Sequence, residues 1–190
     1  MSLRYIKANV NKYRGISVIP PIAKIFEKIL STQIIDYIKL HNILSVDQHG
    51  FRSNHSCETA LHELIADLNL ARDNQLITLM LFIDFRKAFD LVESHLLLRK
   101  LHHLGFSQNA LELIKHYFTC RSQYVNYNNH ASNKSDLHLG VPQGSILGPL
   151  FFSLFINDLA LYMTGLNKKL FADDTTLYRS AKDCSILVEC

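Results

Sequence analysis

Three aspartates hold the chemistry this sequence can offer. Asp84 closes an almost unbroken apolar run, Ile77-Thr78-Leu79-Met80-Leu81-Phe82-Ile83, and Asp173-Asp174 sit between two shorter apolar stretches. Left unpaired and close together, three carboxylates would repel and raise one another's pKa values. A bound divalent cation removes that conflict, and magnesium takes oxygen ligands from one or two carboxylates together with substrate phosphates. Two such ions can activate an attacking hydroxyl and neutralise the charge on a departing phosphate. Taken alone, an Asp pair is an ordinary turn, because Asp bonds to its local backbone and tolerates unusual dihedrals. Here both flanks are apolar and strand-like, and a second strand-like run also ends in Asp.

The elements around these residues have to bring them together. The run ending at Asp84 is short and rich in branched and aromatic residues, which predicts a strand buried on both faces. Lys169 to Ala172 and Thr175 to Tyr178 predict a hairpin with Asp173-Asp174 at its tip. Pro20-Pro21 open a helical pattern through Ile22, Ile25, Phe26, Ile29, Tyr37 and Ile38. Ser56 is placed to cap a second helix with Leu61, Leu64, Ile65 and Leu68 on its buried stripe. Further helices are predicted from about Ser94 to Leu104 and from Ser107 to Phe118, divided by Gly105, and from near Ser145 to about Tyr162. A hairpin is predicted over Ser122 to Leu139 with Asn128 to Asn133 as its turn. The class is α+β.

The 190 residues are 48% hydrophobic and 19% charged, enough for one domain with a real core and no disordered tract. A net charge of +3 permits a nucleic-acid partner without demanding one. Cys57, Cys120, Cys184 and Cys190 lack zinc-knuckle spacing, and the scattered histidines, His102-His103 included, lack the spacing of a helix-borne metal site. A reducing intracellular setting, nucleus or cytoplasm, is expected. Met1 to Gly15 contain no apolar segment of a signal peptide, and Ile146 to Ile156 is too short to span a bilayer.

Five segments resemble motifs of one family. Phe171-Ala172-Asp173-Asp174 resembles the aromatic-x-Asp-Asp box of reverse transcriptases, and Leu81-Phe82-Ile83-Asp84-Phe85-Arg86-Lys87-Ala88-Phe89-Asp90 resembles their first catalytic motif. Gly140-Val141-Pro142-Gln143-Gly144-Ser145-Ile146-Leu147-Gly148-Pro149 is similar to the motif between them. Tyr13-Arg14-Gly15-Ile16-Ser17 and Gln48-His49-Gly50-Phe51-Arg52 resemble two segments of the fingers. The wording is most similar to non-LTR (LINE-class, jockey-like) retrotransposons and runs from about Lys12 to Ala181.

The resemblance implies an RNA-directed DNA polymerase working on an RNA template, a DNA primer and deoxynucleoside triphosphates. It implies a right-hand palm built on a small antiparallel sheet, with residues about 1–75 as partial fingers and about 76–190 as mostly palm. Asp84 and Asp173 would ligate two magnesium ions most directly, manganese being the alternative, with Asp174 completing the cluster. Phe89 would be the steric gate that selects deoxynucleotides, and Gln143 and Gly144 would line the nucleotide pocket. Arg14 would contact the triphosphate. Against these stand core packing for Phe89, a helix start for Gln143-Gly144-Ser145, and a structural role for Arg52. Arg86, Lys87, Lys168 and Lys169 are divided between nucleic-acid backbone and solvent.

Gly15 stands where the family usually has proline. The chain also reads as cut short after Cys190, without a thumb or primer-holding motifs, and no endonuclease segment is present. The alternative function is therefore a non-catalytic remnant that at most binds nucleic acid or a protein partner. A palm-like nucleotide cyclase is disfavoured by the Gln-Gly-Ser motif and by Arg14.

Overall fold

The computed structural model describes residues 16–119, 121–127 and 130–185. Pro21, whose fixed φ suits the first helical turn, opens α1 (Pro21–Leu40) directly after Pro20. The face that α1 buries carries Glu27, Ser31, Ile34 and Ile38. The apolar pattern at its start runs out of phase with that face, and Ile22, Ile25, Phe26 and Ile29 stay exposed. Ser56 caps α2 (Cys57–Asp73) as predicted, in a reciprocal capping box with Thr59. The predicted stripe of α2 is corrected: Ala60 and Ala71 are buried, Leu64 and Leu68 half-buried, and Leu61 and Ile65 exposed.

The core gathers around α5 (Leu147–Ile156), which is apolar on all sides and buries every residue except Pro149 and Phe155. Phe151 is fully buried against the rings of Tyr117 and Phe118. Both belong to α4 (Gln108–Phe118), and α3 (Ser94–His103) adds the fully buried Leu97 and Leu101. Between α3 and α4, Gly105 takes φ +83°, the left-handed stop that the sequence predicts. The single helix predicted to Tyr162 is instead two, because the chain breaks at Asn157-Asp158 before the short α6 (Leu159–Tyr162). The buried Asn157 amide holds the loop after α1, accepting from Ser45 N at 2.8 Å and donating to Ile43 O at 2.9 Å.

The main sheet has three antiparallel strands. In it β7 (Asp174–Ala181) lies between β1 (Ile77–Asp84) and β6 (Asn167–Phe171). Burial of β1 on both faces is corrected. It is an edge strand of this sheet, with Leu79, Leu81 and Phe82 more than half exposed. On one face, the Tyr178 hydroxyl donates to Asp67 and the Lys169 ammonium to Glu63, which seats α2 against β7 and β6. The predicted hairpin over 122–139 forms as two short ladders, β2 (Ser122–Gln123) with β5 (Ser135–Asp136) and β3 (Asn126–Tyr127) with β4 (His130–Ala131). The Tyr127–His130 pairing narrows its turn to residues 128–129, which lie outside the described residues.

The polar segment 47–50 also reaches the sheet. His49 N donates to Leu170 O at 2.8 Å and Leu170 N to Asp47 O at 2.9 Å, so the segment runs parallel beside β6 through a bridge between Gln48 and Leu170. No described helix is long and apolar enough to cross a membrane.

Candidate active site

Register decides where the aspartates go. Phe171 pairs with Asp174, which leaves Ala172-Asp173 as a two-residue turn with Ala172 at φ +57°. Asp174 is therefore the first residue of β7 rather than half of the hairpin tip. It stands directly opposite Asp84, the last residue of β1. Residues opposite each other in an antiparallel pair share a face with Cβ atoms about 5 Å apart, and like charges so placed are destabilising. Both are exposed at the hairpin end of the sheet.

Asp173, in the turn, lines an open cleft of about 460 Å³ together with Asp84. All three carboxylates thus reach one end of the sheet. As the side chains stand, however, no three His, Cys, Asp or Glu groups among the described residues are grouped to enclose a metal ion. The expected three-carboxylate cluster resolves into a cross-strand pair, Asp84 with Asp174, and a cleft pair, Asp84 with Asp173. Two carboxylates beside open space fit magnesium, which fills its remaining positions with water and phosphate oxygens.

The far wall of the cleft is built from the turn after β1 and the glycine-rich loop before α5. Lys87 takes φ +55° and leads into a single 3₁₀ turn, Ala88–Leu91. This turn points Phe89 into the cleft while its ring stacks on Phe152, centroids 4.5 Å apart, and meets Phe51 edge-on. Phe89 is therefore both core packing and cleft wall.

The loop is tied to that turn by backbone bonds, Gly140 N to Val92 O at 2.8 Å and Val141 N to Phe89 O at 2.9 Å. Gly140 needs to be glycine, since its φ is +82° and a Cβ would come within 2.8 Å of Asp90 O. Gln143 and Gly144 line the same cleft, and the Gln143 amide donates to Asp90 Oδ1 at 2.9 Å. Ser17 N donates to Gln143 O at 2.8 Å, so the segment entering α1 is fastened to this loop. Arg14 lies outside the described residues. Ser145 Oγ, one residue before Ile146, the N-cap of α5, accepts from Gly148 N at 2.8 Å.

Among the cations singled out in the sequence, Arg86 and Lys87 line the cleft. The other three among the described residues are engaged within the protein. Lys168 donates to Met163 O at 3.0 Å, Lys169 meets Glu63, and Arg52 donates to Ser45 O at 2.8 Å.

Two supporting residues escape sequence reading. Glu27 on α1 is buried, accepting from Ile146 N at 2.7 Å with one oxygen and from the Tyr117 hydroxyl at 2.8 Å with the other. Burial raises the Tyr117 pKa, so the phenol stays protonated and donates. The only sequence signal is that Glu27 falls in helical phase with Ile34 and Ile38, and that phase is masked by the apolar residues at 22, 25, 26 and 29. Gly50 is the second, because a Cβ there would lie 2.2 Å from Ala172 N.

Residues 6–189 match the family model described as reverse transcriptase (RNA-dependent DNA polymerase). The chain belongs to the reverse transcriptase family. It is similar to the probable RNA-directed DNA polymerase from transposon X-element of Drosophila melanogaster, 33% identical with 88% of this chain and 19% of that protein covered. It is equally similar to the probable RNA-directed DNA polymerase from transposon BS of the same fly, 33% identical over 91% of this chain and 20% of that protein. The chain therefore spans about a fifth of the length of these relatives. The fold is similar to that of telomerase from Candida tropicalis in complex with the TWJ fragment of telomeric RNA. That comparison has a TM-score of 0.61 at 11% identity and covers 89% of this chain and 30% of that one.

Proposed function

We propose that this chain is the nucleotidyl-transfer core of an RNA-directed DNA polymerase of a non-LTR mobile element. The observation that carries the reading is the meeting of Asp84 with the Ala172–Asp174 hairpin end at the mouth of a cleft walled by Phe89, Gln143 and Gly144. Residues about 76–190 are the palm in this reading, and about 1–75 belong to the fingers.

Asp84 and Asp173 would hold two magnesium ions, or manganese in their place, with Asp174 adding negative charge across the ladder. Bound there, the metals would supply Lewis-acid activation of the primer 3′-hydroxyl and charge neutralisation of the leaving pyrophosphate. Phe89 excludes a ribose 2′-hydroxyl, Gln143 and Gly144 seat the nucleotide, and Arg14 meets the triphosphate. RNA template, DNA primer and deoxynucleoside triphosphates are the partners. Family membership and the RNA-bound telomerase neighbour support a nucleic-acid template.

Primer extension on an RNA template with deoxynucleotides and magnesium tests this. Extension is expected to fall at least about 100-fold in Asp84→Asn and in Asp173→Asn, at or beyond the upper end of the loss typical of outer-sphere metal partners. Extension that survives both substitutions, or none in the unaltered chain, overturns the reading.

A further inference from the structure

The segment 47–50 meets the catalytic hairpin through a residue that has no side chain. His49 N and Asp47 O are bonded to the two backbone groups of Leu170, and Gly50 N donates to the buried Gln48 Oε1 at 2.9 Å. The position of Gly50 is thereby fixed from its own side. A Cβ built on it would stand 2.2 Å from Ala172 N and 3.0 Å from Ala172 Cα and the Phe171 carbonyl carbon. These are backbone atoms of the turn, which cannot swing aside as a flexible side chain can. Gly50 is not among the residues at positive φ, so an alanine there meets no backbone penalty of its own. Glycine is required for the approach alone.

We propose that Gly50 is a positioning residue. By letting the segment 47–50 close against the Ala172-Asp173 turn, it sets the depth at which Asp173 faces Asp84. A methyl group at this position drives the turn away by roughly 1 Å, and a displacement of that size is worth about 100-fold in a reaction that depends on near-attack geometry. Gln143 is fixed by other contacts, to Asp90 and Ser17, and is not moved.

The inference rests on the proposed metal site, so the test measures metal binding as well as turnover. Mn²⁺ binding to the full chain, followed by the electron paramagnetic resonance of the free ion, is compared for the unaltered protein, Gly50→Ala, Asp173→Asn and Leu101→Ala. Gly50→Ala is expected to weaken Mn²⁺ binding at least about tenfold and to lower kcat for extension with little change in KM for the deoxynucleotide, the pattern of a misplaced group. Leu101→Ala, destabilised in the core, lowers the unfolding midpoint but leaves Mn²⁺ affinity unchanged. Should Gly50→Ala fail to fold, Gln48→Met keeps the volume while removing the acceptor for Gly50 N, and it is expected to weaken Mn²⁺ binding in the same direction. Unchanged affinity in the folded variant, with Asp173→Asn weakened, overturns the role of Gly50 alone. Unchanged affinity in Asp173→Asn overturns the metal site and the positioning role with it.

Discussion

At the scale of the residue, the site joins groups that answer to more than one demand. Phe89 stacks on Phe152 and also walls the cleft, so its ring cannot be deleted without touching the core. Phe89→Val is expected to raise the incorporation of ribonucleotides relative to deoxynucleotides at least about tenfold, by removing a clash worth roughly 1–3 kcal/mol. Single-nucleotide extension with paired ribo- and deoxynucleotide substrates measures the ratio, and an unchanged ratio removes Phe89 from the gate. The three aspartates were legible because each lies where an apolar, strand-like run stops. What sequence did not reveal is which Asp occupies the turn. That is fixed by the pairing of Phe171 with Asp174, a tertiary choice of register that the flanking residue types leave open.

At the scale of the element, an apolar pattern says that a surface avoids water but not what covers it. The run from Ile77 to Ile83 forms the strand expected of it, yet lies at the edge of the described sheet, because burial of a strand depends on its neighbours. The same holds for α1, where the first half of the legible stripe, Ile22 to Ile29, is exposed, while Ile38 from its second half is buried on the face that holds Glu27 and Ser31. Glu27 joins three helices at once, sitting on α1, accepting from Tyr117 on α4 and accepting from the backbone that leads into α5. Glu27→Ala removes the acceptor of the half-buried Ile146 N–H and Tyr117 hydroxyl, which costs about 2–4 kcal/mol. Urea unfolding is expected to show that loss, and a cost below about 0.5 kcal/mol would remove Glu27 from the framework.

At the scale of the whole molecule, segment 47–50, α2 and β6 enclose a histidine whose charge state affects the stability of all three. His49 is buried with Nδ1 3.2 Å from Thr59 Oγ1 and Nε2 3.4 Å from Glu63. Burial lowers its pKa below the ordinary value of 6.5. The Glu63 carboxylate opposes that shift only in part, while His55, Lys169 and Arg52 add to it. The unfolded chain then binds the proton more readily than the native one, so the native state is favoured above pH 6.5 and loses that advantage as pH falls from 6.5 towards the lowered native pKa. Chemical unfolding at pH 7.5 and at pH 5.5 is expected to show lower stability in acid, with a smaller difference in His49→Gln. An equal difference in both proteins would assign the dependence to other groups.

The pairing of β1 with β7 also sets an order of events in time. Ile77 meets Ala181 about a hundred residues further along the chain, the kind of distant contact that forms late because its loop must close first. As the chain leaves the ribosome, the strand bearing Asp84 is made before its ladder partner and waits until the β6–β7 hairpin has emerged. The helices can collapse around α5 beforehand, but the carboxylates cannot meet. The nascent protein therefore passes through a stage with a core and no paired carboxylates, and the proposed site is completed only when β7 has formed.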